Sequence, residues 1–245
     1  MTKTQQANAI NGEDILKKYD KESNIRTFDG FMGKFIVVLG VAWSIFQLYT
    51  AIFGVFPSTI QRGTHIAAAL TLVYLLYPAT KNQRKIPVYD YIFALLSVCI
   101  GLYHIIFYEQ LQLRSGLYTT ADFIISIIAM VLILEATRRV SGNVIVVLVA
   151  MFLCYGLFGQ DLPGFLAHAN ISAKRLLTFE WLGTEAILGS PMYVSSTFIF
   201  LFLLFATFLK KSGVGDWLTS LAMSACGGSV GGPAKAAVIA RYFDR

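Results

Sequence analysis

The chain has 245 residues, of which 56% are hydrophobic and 14% are charged, and its formal net charge is +6. Soluble domains carry about 25% charged residues, so this composition favours a membrane protein. The basic residues lie in loops beside apolar segments and form no basic face interleaved with aromatic residues, which disfavours nucleic-acid binding.

The first 33 residues are polar and of mixed charge. They lack a short apolar core next to Met1 and therefore do not resemble a cleaved signal peptide. Residues 14–22 are compatible with a short helix. We interpret residues 1–33 as a cytoplasmic N-terminal segment.

Six apolar stretches follow, at residues 35–56, 64–77, 89–107, 118–134, 143–159 and 193–209. A bilayer core of about 30 Å needs about 20 apolar helical residues for each crossing. Because every backbone polar group must be paired inside lipid, the spans are expected to be helices. The sequence therefore predicts an all-α polytopic integral membrane protein with about six transmembrane helices.

The basic residues are concentrated in alternate loops. They lie before the first stretch, between the second and third, between the fourth and fifth, and after the sixth: Lys3, Lys17, Lys18, Lys21, Arg26, Lys34, Lys81, Arg84, Lys85, Arg138, Arg139, Lys210 and Lys211. Basic residues mark cytoplasmic loops, so the N-terminus is predicted to be cytoplasmic. The second and fifth stretches are short, but removing either would break the alternation.

Residues 171–190 are predicted to include an amphipathic helix rather than a further span. Leu177, Trp181 and Leu188 fall along one side, whereas Lys174 and Arg175 fall largely on another. A helix with tryptophan on its apolar side suits the membrane interface. The alternative is an extramembrane segment that packs on the spans.

Glycines and a proline interrupt the chain after the sixth stretch. Residues 212–215 are expected to break the helix, and Asp216 to cap a short segment at 217–226. Residues 227–233 are interpreted as a turn and residues 234–240 as another apolar helical run.

Two uncharged polar residues within or near the spans are candidates for interaction. Gln47 lies in the middle of the first stretch, where an interhelical hydrogen bond is favoured over a lining role in a polar path. His104 lies near the predicted outer end of the third, and a hydrated interfacial histidine is favoured over a proton relay.

Charged residues also occur near both ends of the fourth stretch. Asp122 lies in its first turn, where the helix dipole stabilises a carboxylate. Glu135 precedes Arg138 and Arg139 by three and four residues, so both can pair with it. The plausible N-caps are Thr119 and Thr120.

The sequence predicts no catalytic, cofactor-binding or metal site. Cys99, Cys154 and Cys226 are far apart, with no CxxC motif, and are interpreted as small packing residues. Residues 227–232 resemble a phosphate loop only superficially, because the GKS or GKT ending is missing. The protein is therefore predicted not to be an enzyme.

Three motifs in the second half carry a family resemblance. Residues 189–202 read GSPMYVSSTFIFLF, residues 208–217 read FLKKSGVGDW, and residues 231–238 read GGPAKAAV. Together they resemble the fused membrane subunit of tripartite ATP-independent periplasmic (TRAP) transporters of the type served by TAXI solute-binding proteins. The resemblance covers residues 183–239, while the first 160 residues agree only in layout.

The resemblance implies a secondary permease in the bacterial or archaeal inner membrane. A periplasmic TAXI-type binding protein would deliver an organic solute, usually an acid, and a sodium gradient commonly drives uptake. By this comparison, residues 34–140 correspond to a four-helix small-subunit-like domain and residues 141–170 to a connector transmembrane helix. Residues 171–245 correspond to the start of the large subunit.

The family pattern continues beyond GGPAKAAV into a Gly/Ser-rich re-entrant hairpin, whereas this sequence ends at RYFDR. Broken helices of that kind supply the midplane site in many secondary transporters. The chain is therefore expected to be a truncated portion that lacks the transport site, and no substrate-binding residue is assigned. The alternatives are a non-transporting scaffold or assembly protein and, less favoured, a small channel or membrane enzyme.

Overall fold

The computed structural model describes residues 25–80, 83, 85–215, 217, 220, 221 and 224, and every regular element assigned in this part of the chain is helical. The elements predicted at 14–22 and 227–240 lie outside the described residues. The segment predicted at 217–226 lies largely outside them.

The helices follow the apolar stretches. The long helices are α1 (Gly30–Phe53), α2 (Ser58–Leu76), α3 (Val88–Ile106), α5 (Thr120–Val140) and α6 (Asn143–Phe158). The short helices α4 (Tyr108–Leu113) and α7 (Ala173–Leu182) are accompanied by 3-10 turns at Gly159–Asp161 and Gly164–Leu166. The final run comprises α8 (Ser190–Val194), a π-helix (Ser195–Ile199) and α9 (Phe200–Lys211). All six predicted stretches are confirmed as helices, whereas α4 was not predicted.

Among the described residues, five helical segments are long and apolar enough to cross a membrane: Gly30–Phe53, Val88–Ile106, Thr120–Val140, Asn143–Asp161 and Ser190–Lys211. The predicted all-α polytopic fold class is therefore confirmed. Helix α2 has the length of a span but carries Gln61, Arg62 and His65, which lower its apolar character.

Helix α2 can tolerate these polar residues because it is the central helix of the bundle. It packs against α1, α3, α5 and α8, and half of its side chains are buried. Small residues let α2 and α3 approach closely: a Cβ added to Gly101 of α3 would lie 2.5 Å from the Cβ of Ala67 in α2. Small residues at helix contacts are typical of membrane bundles, where close packing replaces the hydrophobic effect.

Contacts at the ends of the helices establish an antiparallel arrangement. At one end, the backbone N–H of Arg26, just before α1, donates to the carbonyl of Leu76 at the end of α2, at 2.8 Å. At the other end, Arg62 near the start of α2 donates to the carbonyl of Leu188 just before α8, at 2.6 Å, so α2 and α8 run in the same direction, as alternation along the chain requires. The short connections between consecutive helices force this alternation.

Helix α7 is confirmed as a helix with one buried side, but that side packs on other helices. Trp181 is fully buried and Leu182 nearly so, whereas Phe179 is 49% exposed. The arrangement with Trp181 facing lipid is therefore wrong, and the packed alternative describes this residue. The reason is that α7 contacts α5 and α6, so its apolar side is covered by protein.

The chain divides into two compact units, residues 1–196 and residues 197–245. The first unit contains α1 to α8 and the apolar core, in which Tyr74, Ile100, Leu132 and Trp181 are almost completely buried. In the second unit, α9 has no buried residue.

Candidate functional site

Five charged side chains form an ion cluster at the end of the first unit where α2 ends and α3 begins. Asp90, in the first turn of α3, accepts a hydrogen bond from Arg26 Nη2 on Oδ2 at 2.7 Å, and its Oδ1 forms an ion pair with Arg139 Nη1, also at 2.7 Å. All three side chains are buried. One carboxylate thereby joins the segment before α1, the start of α3 and the end of α5.

Glu135 and Arg138 extend the ion cluster toward solvent. Glu135 accepts from Arg139 Nε at 2.8 Å and from Arg138 Nε at 2.7 Å. The predicted i,i+3 and i,i+4 pairs are thus confirmed. The ring of Tyr74 lies beneath Arg139, with the guanidinium carbon 4.9 Å from the ring centroid.

The arginines of the ion cluster also hold the connection between α2 and α3. Arg26 donates to the carbonyls of Tyr74 and Leu75 at 3.3 Å, and Arg139 donates to the carbonyl of Tyr77 at 3.2 Å. These bonds satisfy carbonyls that the end of α2 leaves without helical partners. The ion cluster therefore fixes one end of the bundle.

A second charged group lies at the opposite end, around Asp122. Its Oδ2 accepts from the backbone N–H of Thr119 at 2.7 Å, while Thr119 Oγ1 accepts from the backbone N–H of Asp122, which makes a capping box. Its Oδ1 accepts from Tyr103 at 2.5 Å and from Arg114 at 2.9 Å. Thr119 is confirmed as the N-cap, and the helix dipole alone does not account for this buried carboxylate.

Gln47 belongs to a buried amide–imidazole network made by Gln47, Thr50, Gln61, His65 and Ser195. Gln47 Nε2 contacts His65 Nδ1, and Gln47 Oε1 accepts from Gln61 Nε2 at 3.2 Å. If His65 Nδ1 accepts from the amide, Nε2 carries the ring proton and donates to Ser195 Oγ at 3.2 Å. The interhelical bond predicted for Gln47 is confirmed.

His104 is fully buried, so the predicted hydrated interfacial histidine is wrong. Its ring packs on Gly63, where an added Cβ would lie 2.9 Å from His104 Cδ2, and its centroid is 5.2 Å from that of Trp181. Neither ring nitrogen has a hydrogen-bond partner among the described residues. The local sequence gave no sign of this burial, because the residue that covers His104 is 77 positions away in α7.

His168 holds the segment between α6 and α7, outside the spans. Its Nδ1 lies 2.7 Å from the carbonyl oxygen of Ala169, and its Nε2 lies 3.0 Å from that of Tyr155. Both nitrogens can donate only when the ring is protonated. These two carbonyls therefore raise the pKa of His168 above its usual value.

The cysteines do not pack in the core. Cys99 of α3 and Cys154 of α6 are free thiols on exposed positions, so their interpretation as packing residues is wrong, while Cys226 lies outside the described residues. Their helices present these positions on the surface of the bundle rather than toward α2. In the described part of the chain, no group of three or more His, Cys, Asp or Glu side chains is placed to hold a metal ion.

The fold and its buried polar groups define a polytopic helical membrane protein whose charged side chains join helices to each other. Residues 128–243, a little under half of the chain, match the family described as the tripartite ATP-independent periplasmic transporter, DctM component. This match supports a membrane subunit of a TRAP-type transporter, and the matched family is a transporter component and not an enzyme. No curated protein and no solved structure matches the chain.

The matched region begins earlier than the sequence motifs indicated. It starts at residue 128 within α5, well before the resemblance noted at residues 183–239, and it includes α6 and α7. Among the residues it covers, Glu135 and Arg139 belong to the ion cluster and Ser195 to the amide–imidazole network. The matched region is therefore bonded to helices that precede it.

Sequence reasoning missed the partners of several of these groups. Arg26 was noted only as part of the orientation signal, and Asp90 was not singled out, although it is an acidic residue at the start of an apolar stretch and beside a basic loop. That placement is a usable signal, since a carboxylate at the edge of a span needs a partner.

Proposed function

We propose that this chain is the N-terminal membrane part of a TRAP-type permease in which a small-subunit-like domain is fused to the start of the large subunit. The match of residues 128–243 to the DctM component carries the proposal. Helices α1 to α5 precede most of the matched region, and this order supports the fusion of a small-subunit-like domain to the large subunit.

In this proposal, the first unit serves as a stationary scaffold. The ion cluster joins three segments at one end, and the Asp122 group joins α3, the turn after α4 and α5 at the other. Ion pairs and hydrogen bonds between buried side chains hold the segments that they join in fixed positions. A rigid unit of this kind is suited to be the support against which a transport domain moves.

The contacts of α2 support the attachment of the large-subunit region to this scaffold. Arg62 donates to the carbonyl of Leu188 just before α8, and its guanidinium lies 5.1 Å from the ring centroid of Tyr193. His65 contacts Ser195 one turn further on. Helix α2 would thus hold the start of the large-subunit region in place.

The finer assignments are an organic acid as solute, a TAXI-type periplasmic binding protein as partner and a sodium gradient as the energy source. They follow from the motifs at residues 189–202, 208–217 and 231–238. We also propose the inner membrane as the location and a cytoplasmic N-terminus, because Arg26, Lys85, Arg138 and Arg139 gather at one end of the bundle.

The proposal can be tested in the source cell. A TAXI-type binding protein from the source cell would first be purified and screened for organic acids that raise its melting temperature. Uptake of the labelled acid would then be measured with and without the coding sequence for residues 1–245. We expect sodium-dependent uptake that is lost on deletion and restored by a plasmid copy of the complete permease gene.

Uptake that survives the deletion unchanged would contradict the permease assignment. The alternative function is a non-transporting assembly protein, which the mutual pairing of the charged groups in the ion cluster favours. In that case the chain would co-purify with a separate permease chain, and deletion would lower the amount of that permease in the membrane.

A further inference from the structure

A surface cavity of about 640 Å³ lies in the first unit between the turn that precedes α5 and helix α7. Lys174, Arg175, Ser115, Ser172, Thr184 and Glu185 contribute its charged and hydroxyl groups. These residues come from two separate parts of the chain, so the cavity is a product of the fold. None of them belongs to the ion cluster or to the amide–imidazole network.

Within the described residues, the two basic side chains of this cavity have no ion-pair partner. Lys174 and Arg175 are both exposed, and neither forms an ion pair in the part of the chain that the structure describes. Glu185 lines the same cavity without pairing with them. Two unpaired cations with neighbouring hydroxyl groups form a donor set suited to a phosphate group, which guanidinium and ammonium groups bind by charge-assisted hydrogen bonds.

The position of the cavity relative to the spans indicates the source of that phosphate. Residues 115–118 immediately precede α5, and residues 183–185 lie shortly before the span Ser190–Lys211. The cavity is therefore at the level where spans end, which is the level of lipid headgroups. Its rim carries apolar side chains, with Leu117 83% exposed and Phe179 49% exposed.

We propose that this cavity binds the headgroup phosphate of a membrane phospholipid, with Lys174 and Arg175 as the cationic contacts and Leu117 and Phe179 against the acyl chains. A soluble phosphate ester has the same anionic group but gains nothing from the apolar rim. The inference concerns lipid recognition and does not depend on the transport reaction.

The test uses the full chain with its three cysteines replaced by serine and with Thr184→Cys as a probe inside the cavity. The rate of maleimide labelling would be measured in detergent with increasing short-chain phosphatidylglycerol. The uncharged diacylglycerol of the same acyl length and glycerol phosphate serve as comparison ligands. We expect phosphatidylglycerol alone to slow the labelling in a saturable manner.

Variants then assign the effect to the two cations. Lys174→Gln together with Arg175→Gln should weaken the protection by about 30-fold, because each basic residue near an anionic lipid contributes about a factor of five to its attraction. Lys210→Gln together with Lys211→Gln removes the same charge at the end of α9 and should leave the protection unchanged. Circular dichroism checks that both double variants keep their helical content.

Three results would overturn the proposal. Equal protection by diacylglycerol would show that the apolar rim binds without the phosphate, and protection by glycerol phosphate would assign the cavity to a soluble anion. If the Lys174/Arg175 double variant were still fully protected, these two cations would not be the residues that bind the lipid phosphate. The comparison of lipids in the unsubstituted background remains decisive even if the double variant fails to fold.

Discussion

Arg139 Nη1 lies 2.7 Å from Asp90 Oδ1, and both side chains are completely buried. The pair joins the end of α5 to the start of α3, and Arg26 occupies the other oxygen of the same carboxylate. The stability of this end of the bundle therefore depends on a single acidic residue that balances two arginines.

Asp90→Ala is expected to lower the free energy of unfolding by about 3–5 kcal/mol, because it leaves the buried guanidinium of Arg26 without a counter-charge and that of Arg139 with Glu135 alone. The measurement is unfolding of the purified protein in mixed micelles, followed by circular dichroism. Glu109→Ala, which removes an exposed carboxylate from α4, is the matched control and should have little effect. Similar losses for the two variants would contradict the central role of Asp90.

Gly101→Ala should destabilise the contact between α2 and α3 by about 1–3 kcal/mol, because the new methyl group would overlap Ala67. Adding Ala67→Gly in the same chain should restore most of the loss, since it removes the opposing Cβ. Gly40→Ala in α1 meets no atom within 4 Å and should be neutral or slightly stabilising. Failure of the second substitution to compensate would show that the two residues are not in direct contact.

Thr119→Ala should cost about 0.5–2 kcal/mol, because it removes the side chain that caps α5 and weakens the capping box with Asp122. Thr120→Ala changes an exposed neighbour in the first position of the same helix. Thermal unfolding of both variants measures the difference, and equal melting temperatures would argue against the capping box.

The segment from residue 159 to 170 should loosen as pH rises. His168 binds its proton more tightly when packed, so its contribution is fully present below the ordinary histidine pKa of about 6.5 and is lost as pH passes its raised pKa. Limited proteolysis of this segment should therefore be faster at alkaline than at mildly acidic pH, and His168→Gln should remove the dependence. If the unsubstituted protein and His168→Gln showed the same dependence of proteolysis on pH, the effect would come from a group other than His168.

The helices could be predicted from the sequence because each is encoded by a local apolar run. The same holds for the Thr119 cap and for the pairs of Glu135 with Arg138 and Arg139, whose partners lie within four residues. These features depend on helix geometry alone, and the structure confirms them.

Features that depend on distant residues were predicted less well. The burial of His104 requires α7 to fold over the end of α3, and the pairing of Asp90 with Arg26 spans 64 positions. Neither is encoded in a local pattern. The TAXI assignment, sodium coupling and truncation stay predictions.

Helix α2 also has a consequence for how the protein is made. Arg62 and His65 lie near its start, and polar side chains of a helix that enters the membrane need partners there. Gln47 is synthesised before α2, whereas Leu188 and Ser195, whose oxygens contact Arg62 and His65, are synthesised more than a hundred residues later. During synthesis, α2 should therefore pass through a stage in which α1 is its only packing partner. This early hairpin is the form that membrane quality-control proteases would encounter.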